Sequence, residues 1–206
     1  MGLSLKSTSG KLLASAALIG AAASVAGLGT YGAFTSTTSA STTVSSGTVV
    51  IGLGTAGSAT NRLTVAASGI VPGDTIQRAV TLSNTGTQNL TGVTLTTAAT
   101  TSSKLDTDAT NGLQLVVDSC SVPWTEAGTA PAYTYTCSGT TASVLATHAV
   151  IGTNVSLANL TSVTAGHADN LRVTLTLPTT ADNTFQGISS TVGFSFTGTQ
   201  RSGTNQ

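Results

Sequence analysis

Charge is scarce in this sequence. Asp, Glu, Lys and Arg make up 7% of its 206 residues, against about a quarter in an ordinary soluble domain. There is no basic stripe or cluster, which excludes the electrostatic footprint of a nucleic-acid partner. Nor is there a polybasic segment or amphipathic helix of the kind that holds a membrane surface. Histidine is limited to His148 and His167, and glutamate to Glu126. A zinc-protease helix places two histidines four apart with a glutamate between them as base; here nineteen positions separate the pair. No G-x-S-x-G elbow is present either. Both histidines read as surface or strand-end residues. The expectation is a protein that is not an enzyme, with no catalytic residues, no cofactor and no metal site. Asp106-Thr107-Asp108 has the first two ligand positions of a calcium loop. Gly112 falls one place late, however, and the closing Glu is missing, so a solvated loop is the better reading.

Long hydrophobic runs are limited to one. Lys6 and Lys11 precede an Ala/Gly-rich apolar run from Leu12 to Leu28, which ends in Gly29-Thr30-Tyr31-Gly32-Ala33-Phe34 and gives way to Ser and Thr. A positive start, an apolar middle and small residues at the exit describe a secretory signal peptide over residues 1–33. Cleavage would fall between Ala33 and Phe34 or after Ala40. The run is just long enough to span a bilayer, but no positive stop-transfer cluster follows. The expectation is a secreted protein with no membrane partner after cleavage, acting in the extracellular matrix or at the cell surface. Loss of the two lysines leaves five basic against seven acidic residues, a net charge of −2. So weak a charge offers little resistance to self-association.

The 39% hydrophobic content lies in alternating positions, which argues for a folded domain over a disordered Ser/Thr stalk. Ile76, Val80 and Leu82 share one face, as do Val93 with Leu95, and Leu113, Leu115 and Val117. Leu171, Val173, Leu175 and Leu177 form another row, and Ile188, Val192, Phe194 and Phe196 the last. Val71-Pro72-Gly73-Asp74 has type II turn chemistry, and Asn84-Thr85-Gly86 turns the chain again. No convincing helix appears. Many short alternating strands between Gly, Pro and Asn turns predict an all-β fold, a single antiparallel β-sandwich of jelly-roll type over residues 47–200. Residues 34–46, almost all Ser and Thr, form an extended N-terminal arm, and 201–206 a polar tail. Cys120 and Cys137, the only cysteines, most simply form one disulfide in an oxidising compartment, two buried free thiols being the alternative. Asn89, Asn154 and Asn159 begin glycosylation sequons, which chance supplies readily in so Asn- and Thr-rich a chain. Leu177-Pro178-Thr179-Thr180-Ala181 resembles a cell-wall sorting signal but lacks the hydrophobic span and basic tail, and reads as a strand end.

Several of these segments, taken in order, resemble the TasA/camelysin family of secreted bacterial proteins. They are Tyr31-Gly32-Ala33-Phe34, Ser46-Gly47-Thr48-Val49, Val71-Pro72-Gly73-Asp74 and Thr81-Leu82-Ser83-Asn84-Thr85-Gly86. The series continues with Leu175-Thr176-Leu177-Pro178, Asn183-Thr184-Phe185-Gln186-Gly187 and the stretch Phe194 to Gln200. The resemblance implies a jelly-roll sandwich, a new N-terminus at Phe34, and assembly into extracellular or biofilm matrix fibres. The partner would be a second copy of the chain, with other matrix or surface proteins as further candidates. The arm of one subunit would add a strand to the open sheet edge of the next, and a head-to-tail contact of this kind propagates as a filament. Phe34 and Val44, with Val49 and Ile51 beyond them, are the residues able to anchor such an arm. The family also carries a metallopeptidase label, for which this sequence has no motif. A secreted metalloendopeptidase and a monomeric adhesin are the alternative readings.

Overall fold

The computed structural model describes residues 48–63 and 65–203. The signal peptide, the cleavage point Ala33/Phe34, the arm 34–46 and its anchors Phe34 and Val44 lie outside the described residues. Eleven strands follow in order: β1 (Ile51–Leu53), β2 (Val65–Ala67), β3 (Thr75–Asn84), β4 (Leu90–Thr101), β5 (Gln114–Cys120), β6 (Thr125–Ala127), β7 (Thr134–Thr136), β8 (Thr141–Ala149), β9 (Gly152–Leu157), β10 (Ala168–Thr176) and β11 (Ser190–Gln200). One sheet has the order β1-β3-β10-β5-β8 and the other β2-β11-β4-β9, all pairs antiparallel, with β6 and β7 forming a separate hairpin. The chain changes sheet at every step from β1 to β5 and again at every step from β8 to β11, the alternation of layers typical of a jelly roll. The fold is the predicted all-β sandwich.

Period-two alternation decides which residues face inward. Leu171, Val173 and Leu175 on β10 and Leu177 just beyond it are at most 1% exposed. They sit between Val80 and Ile76 of β3 and Leu115 and Val117 of β5 in register. Val93 and Leu95 of β4, Val192 of β11 and Val65 and Ala67 of β2 close the same core from the second sheet. The intervening threonines stay half-exposed, and hydroxyls take the place that charges have on most surfaces.

Turns follow their residues. At Val71–Asp74 the Asp74 N–H donates to the Val71 carbonyl, and Gly73 has φ +97°, the left-handed conformation that position requires. The sequence shows no convincing helix, yet one four-residue helix, α1 (Lys104–Thr107), is present. Its cause is local: Ser103 and Asp106 form a reciprocal capping box, too short a signal to show as helical periodicity. Asp106 of the calcium-like segment is therefore a buried cap, and Asp108 accepts the Thr110 and Asn111 N–H groups within its own loop.

Leu171 is fully buried on the central strand. Leu171→Ala should destabilise the fold by about 3 kcal/mol, whereas Thr174→Ala on the half-exposed face of the same strand should cost well under half of that. Denaturant unfolding of both variants checks the inward and outward assignment.

Candidate functional site

Two sides of the sandwich differ in how they close. On one side β8 and β9, the outer strands of the two sheets, are joined through Val150 and Ile151. The Thr97 hydroxyl bonds the Val150 carbonyl at 2.6 Å and receives the Gly152 N–H at 2.8 Å. On the other side the first sheet ends in β1, and the second in β2, which pairs only with Ser190–Val192 of β11. From Gly193 to Gln200, β11 pairs with β4 and has no second strand beside it among the described residues. Beside this edge lies a cleft of about 350 Å3 lined in part by Leu53, Leu63, Val192 and Phe194. Leu53 is 40% exposed there. Ile51 leans across the gap so closely that a Cβ on Gly198 would collide with its Cδ1. Val49 and Ile51, expected as arm anchors, thus pack against this chain's own core.

The chain enters and leaves the sandwich at one end. The Thr87 N–H donates to the Thr48 carbonyl, and the Arg201 N–H to the Asn89 carbonyl. Thr48 therefore lies near the Gln200 end of the open β11 edge.

A second cluster covers the outer face of the first sheet. Cys120, at the end of β5 and out of step with the inward row Leu115, Val117 and Ser119, is bonded to Cys137. The disulfide holds the β6–β7 hairpin over β3 and β10. Beneath it, Arg62 grips Glu126 with two hydrogen bonds of 3.0 and 2.8 Å, and the Tyr135 hydroxyl donates to the same carboxylate at 2.8 Å. Arg172 pairs with Asp118 at 2.9 Å and lies 4.4 Å from the Trp124 ring centre. The Arg62 guanidinium holds the Glu126 carboxyl below the usual range. Burial, and then the Glu126 hydrogen bond, push the Tyr135 hydroxyl up to about 12.

The sequence reading passed over Arg78. It occupies an inward position on β3, in the row of Ile76, Val80 and Leu82 and opposite Val173, and is only 5% exposed. Its polar contact is a 2.7 Å bond to the Gln77 carbonyl, with the Tyr133 ring 5.5 Å away. Burial lowers its pKa from the ordinary guanidinium value. The available signal was the charge itself, which interrupts an otherwise aliphatic row.

A metal centre does not fit the residues present. Every His, Cys, Asp and Glu of the sequence falls within the described residues, and no three of them form a group able to hold an ion. His148 pairs across from Leu115, which pairs with Leu175, eight positions along the chain from His167. At about 3.3 Å per strand residue the histidines are roughly 25 Å apart. All seven carboxylates already have structural partners. Asp118 and Glu126 are held by arginines, and Asp182 by Thr184 and Lys104. Asp169 accepts from Thr161 and Ser162, and Asp106 from Ser102, Ser103 and Ser190. Asp108 accepts the Thr110 and Asn111 N–H groups, and Asp74 the Val71 N–H. Among the described residues no helix is long and apolar enough to cross a membrane.

A two-sheet antiparallel sandwich with one closed side, one open strand edge and a disulfide-held hairpin is the class this geometry defines. The chain belongs to the camelysin metallo-endopeptidase family, whose model matches residues 4–205. That match agrees with the resemblance carried by Val71–Asp74, Thr81–Gly86 and the C-terminal segments. No curated protein matches the sequence.

The Glu126 cluster has a definite pH signature. A carboxyl lowered in the folded state adds stability that is present above the ordinary carboxyl range and lost on acidification. A tyrosine raised to about 12 adds stability that is present below its ordinary value near 10 and lost as the pH climbs between the two. Ultraviolet titration should show one tyrosine ionising last, near 12. Glu126→Gln should bring that step to lower pH and reduce the acid-side loss of stability, leaving the part that comes from Asp106.

Proposed function

We propose that this chain is a secreted structural subunit that assembles head to tail into extracellular or biofilm matrix fibres, and that it is not an enzyme. The observation that carries this reading is the β11 edge from Gly193 to Gln200, which lacks a second strand among the described residues and borders an apolar cleft. Such an edge presents unpaired N–H and C=O groups that an extended segment from a neighbour satisfies by strand addition. The arm 34–46 suits that task. It carries no charge and no proline, and Phe34 and Val44 have the same parity, so in an extended strand both face the same side. Its thirteen residues exceed the eight of the open edge. The acceptor edge and the start of the described chain lie at one end of the sandwich, which favours a donor arm reaching a neighbour stacked on that end. Export by the 1–33 leader frees the arm and supplies the oxidising compartment in which the disulfide persists.

The family's name is that of a metallo-endopeptidase, and the hydrolytic reading rests on that name alone. The positions of His148 and His167 and the engagement of every carboxylate argue for the structural role.

Mature protein lacking residues 34–46 should remain monomeric by light scattering and show no filaments in negative stain, while the intact mature form polymerises. Filaments from the truncated form would overturn the donor-arm reading. An intact mature form that stays monomeric would favour the adhesin reading. Chelator-sensitive degradation of casein, lost on substituting His148 or His167, would overturn the assignment as a non-enzyme.

A further inference from the structure

We propose that the seam around Arg78 is a binding site for an organic carboxylate with an apolar body of amino-acid to dipeptide size. The site does not depend on the fibre reading. Two adjoining clefts, of about 290 and 160 Å3, share Ala66, Arg78, Pro131 and Tyr133 as walls. Together they are too small for a large cofactor and large enough for one or two amino-acid-sized units.

Arg62, Lys104 and Arg172 each have a carboxylate partner. Arg78 is more buried than any of them, yet it forms no ion pair and has as its polar contact a single carbonyl. Burying a guanidinium without a counter-charge is costly. A residue at that register position, opposite Val173 and between Ile76 and Val80, would otherwise be aliphatic. The nearest carboxylate, Glu126, is held by two bonds from Arg62 and one from Tyr135. Every other carboxylate side chain of the sequence has a structural partner of its own, which leaves the counter-charge for a bound molecule to supply.

The surroundings define its chemistry. A guanidinium presents a planar fork that matches a carboxylate in two parallel hydrogen bonds. Tyr133 stands between two cations, with Arg62 at 4.6 Å and Arg78 at 5.5 Å from its ring centre. The remaining walls of the smaller cleft are largely apolar, with Ile76 and Ala132 beside Pro131. A fork at the base and apolar walls around it select a carboxylate whose other end is hydrophobic, such as the terminal residue of a peptide, over a bare inorganic anion.

The test uses the intact mature protein and N-acetylleucine as probe, following the arginine Nε–H signals by nuclear magnetic resonance. The Arg78 signal should shift saturably with N-acetylleucine. The isosteric neutral amide, N-acetylleucinamide, should bind at least about tenfold more weakly, because it cannot accept a charge-assisted pair. Arg78→Gln should abolish the response. Should that variant fail to fold, Tyr133→Ala, at a half-exposed position, should weaken binding about tenfold and leave the melting transition in place. The proposal is overturned if the Arg78 signal does not saturate, if the amide binds as well as the acid, or if inorganic phosphate competes as strongly as N-acetylleucine. It is also overturned if folded Arg78→Gln still binds.

Discussion

The structure depends on β10. It is the middle strand of the first sheet and pairs along almost its whole length with β3 on one side and β5 on the other. Its inward row is the least exposed in the molecule. Aliphatic rows on both neighbours and on β4 and β11 have to meet that row, because a one-residue slip would turn every leucine outward. The outward face of the same strand fixes the second layer of features. Arg172 meets Asp118 and Trp124, Asn170 accepts the Trp124 indole N–H, and the hairpin settles on the platform they form. The register of one strand therefore sets the core and also the polar cluster above it.

With so few charges, most ionisable groups have a structural partner. Glu126 joins a loop before β2 to the hairpin through Arg62 and Tyr135. Asp106 ties α1 to the start of β11 through Ser190, and Asp169 holds the loop ahead of β10 through Thr161 and Ser162. These contacts cross long distances in sequence and place loops whose own residues give them little preference. Scarcity also makes the exception conspicuous. In a chain of ordinary charge content a lone buried arginine would have many candidate partners; here Arg78 stands out because all the acids are accounted for.

Much of the sandwich was legible because alternation is a local signal. The rows on β3, β4, β5, β10 and β11 could be read directly, as could the Val71–Asp74 turn and the parity of Cys120, which puts it on the face opposite Leu115 and Val117. What escaped was non-local or very short. The three-residue strand β6 carries too few residues for a periodic pattern, whereas β1, β2 and β7 overlap the β-prone Thr48–Ile51 and Leu63–Ala66 and the alternating Tyr133–Cys137. The open stretch of β11 depends on β2 ending early, a property of pairing and not of either sequence. Arg78 belongs to no motif, and its burial follows from its pairing opposite Val173, 95 positions along the chain. The ion-pair network was hidden for the same reason, since Arg62 and Glu126 are 64 positions apart.

The common entry and exit of the chain has a mechanical consequence. Residues from Thr48 onward run alongside β3 and the turn after it, antiparallel to β3, and are held by bonds to Thr85, Thr87 and Gln88 and by the β1 ladder. Interstrand hydrogen bonds lie perpendicular to the strands they join. A pull on the segment before Thr48, directed along the strand axis, therefore loads these bonds together in shear instead of peeling them one at a time. Ile51, wedged over Gly198, adds a steric stop to the same sliding motion. Tension arriving at this end passes through β1 into β3 and on to β10, the most deeply buried strand of the sandwich, so the fold resists extension along the line on which a chain of linked subunits would be stretched.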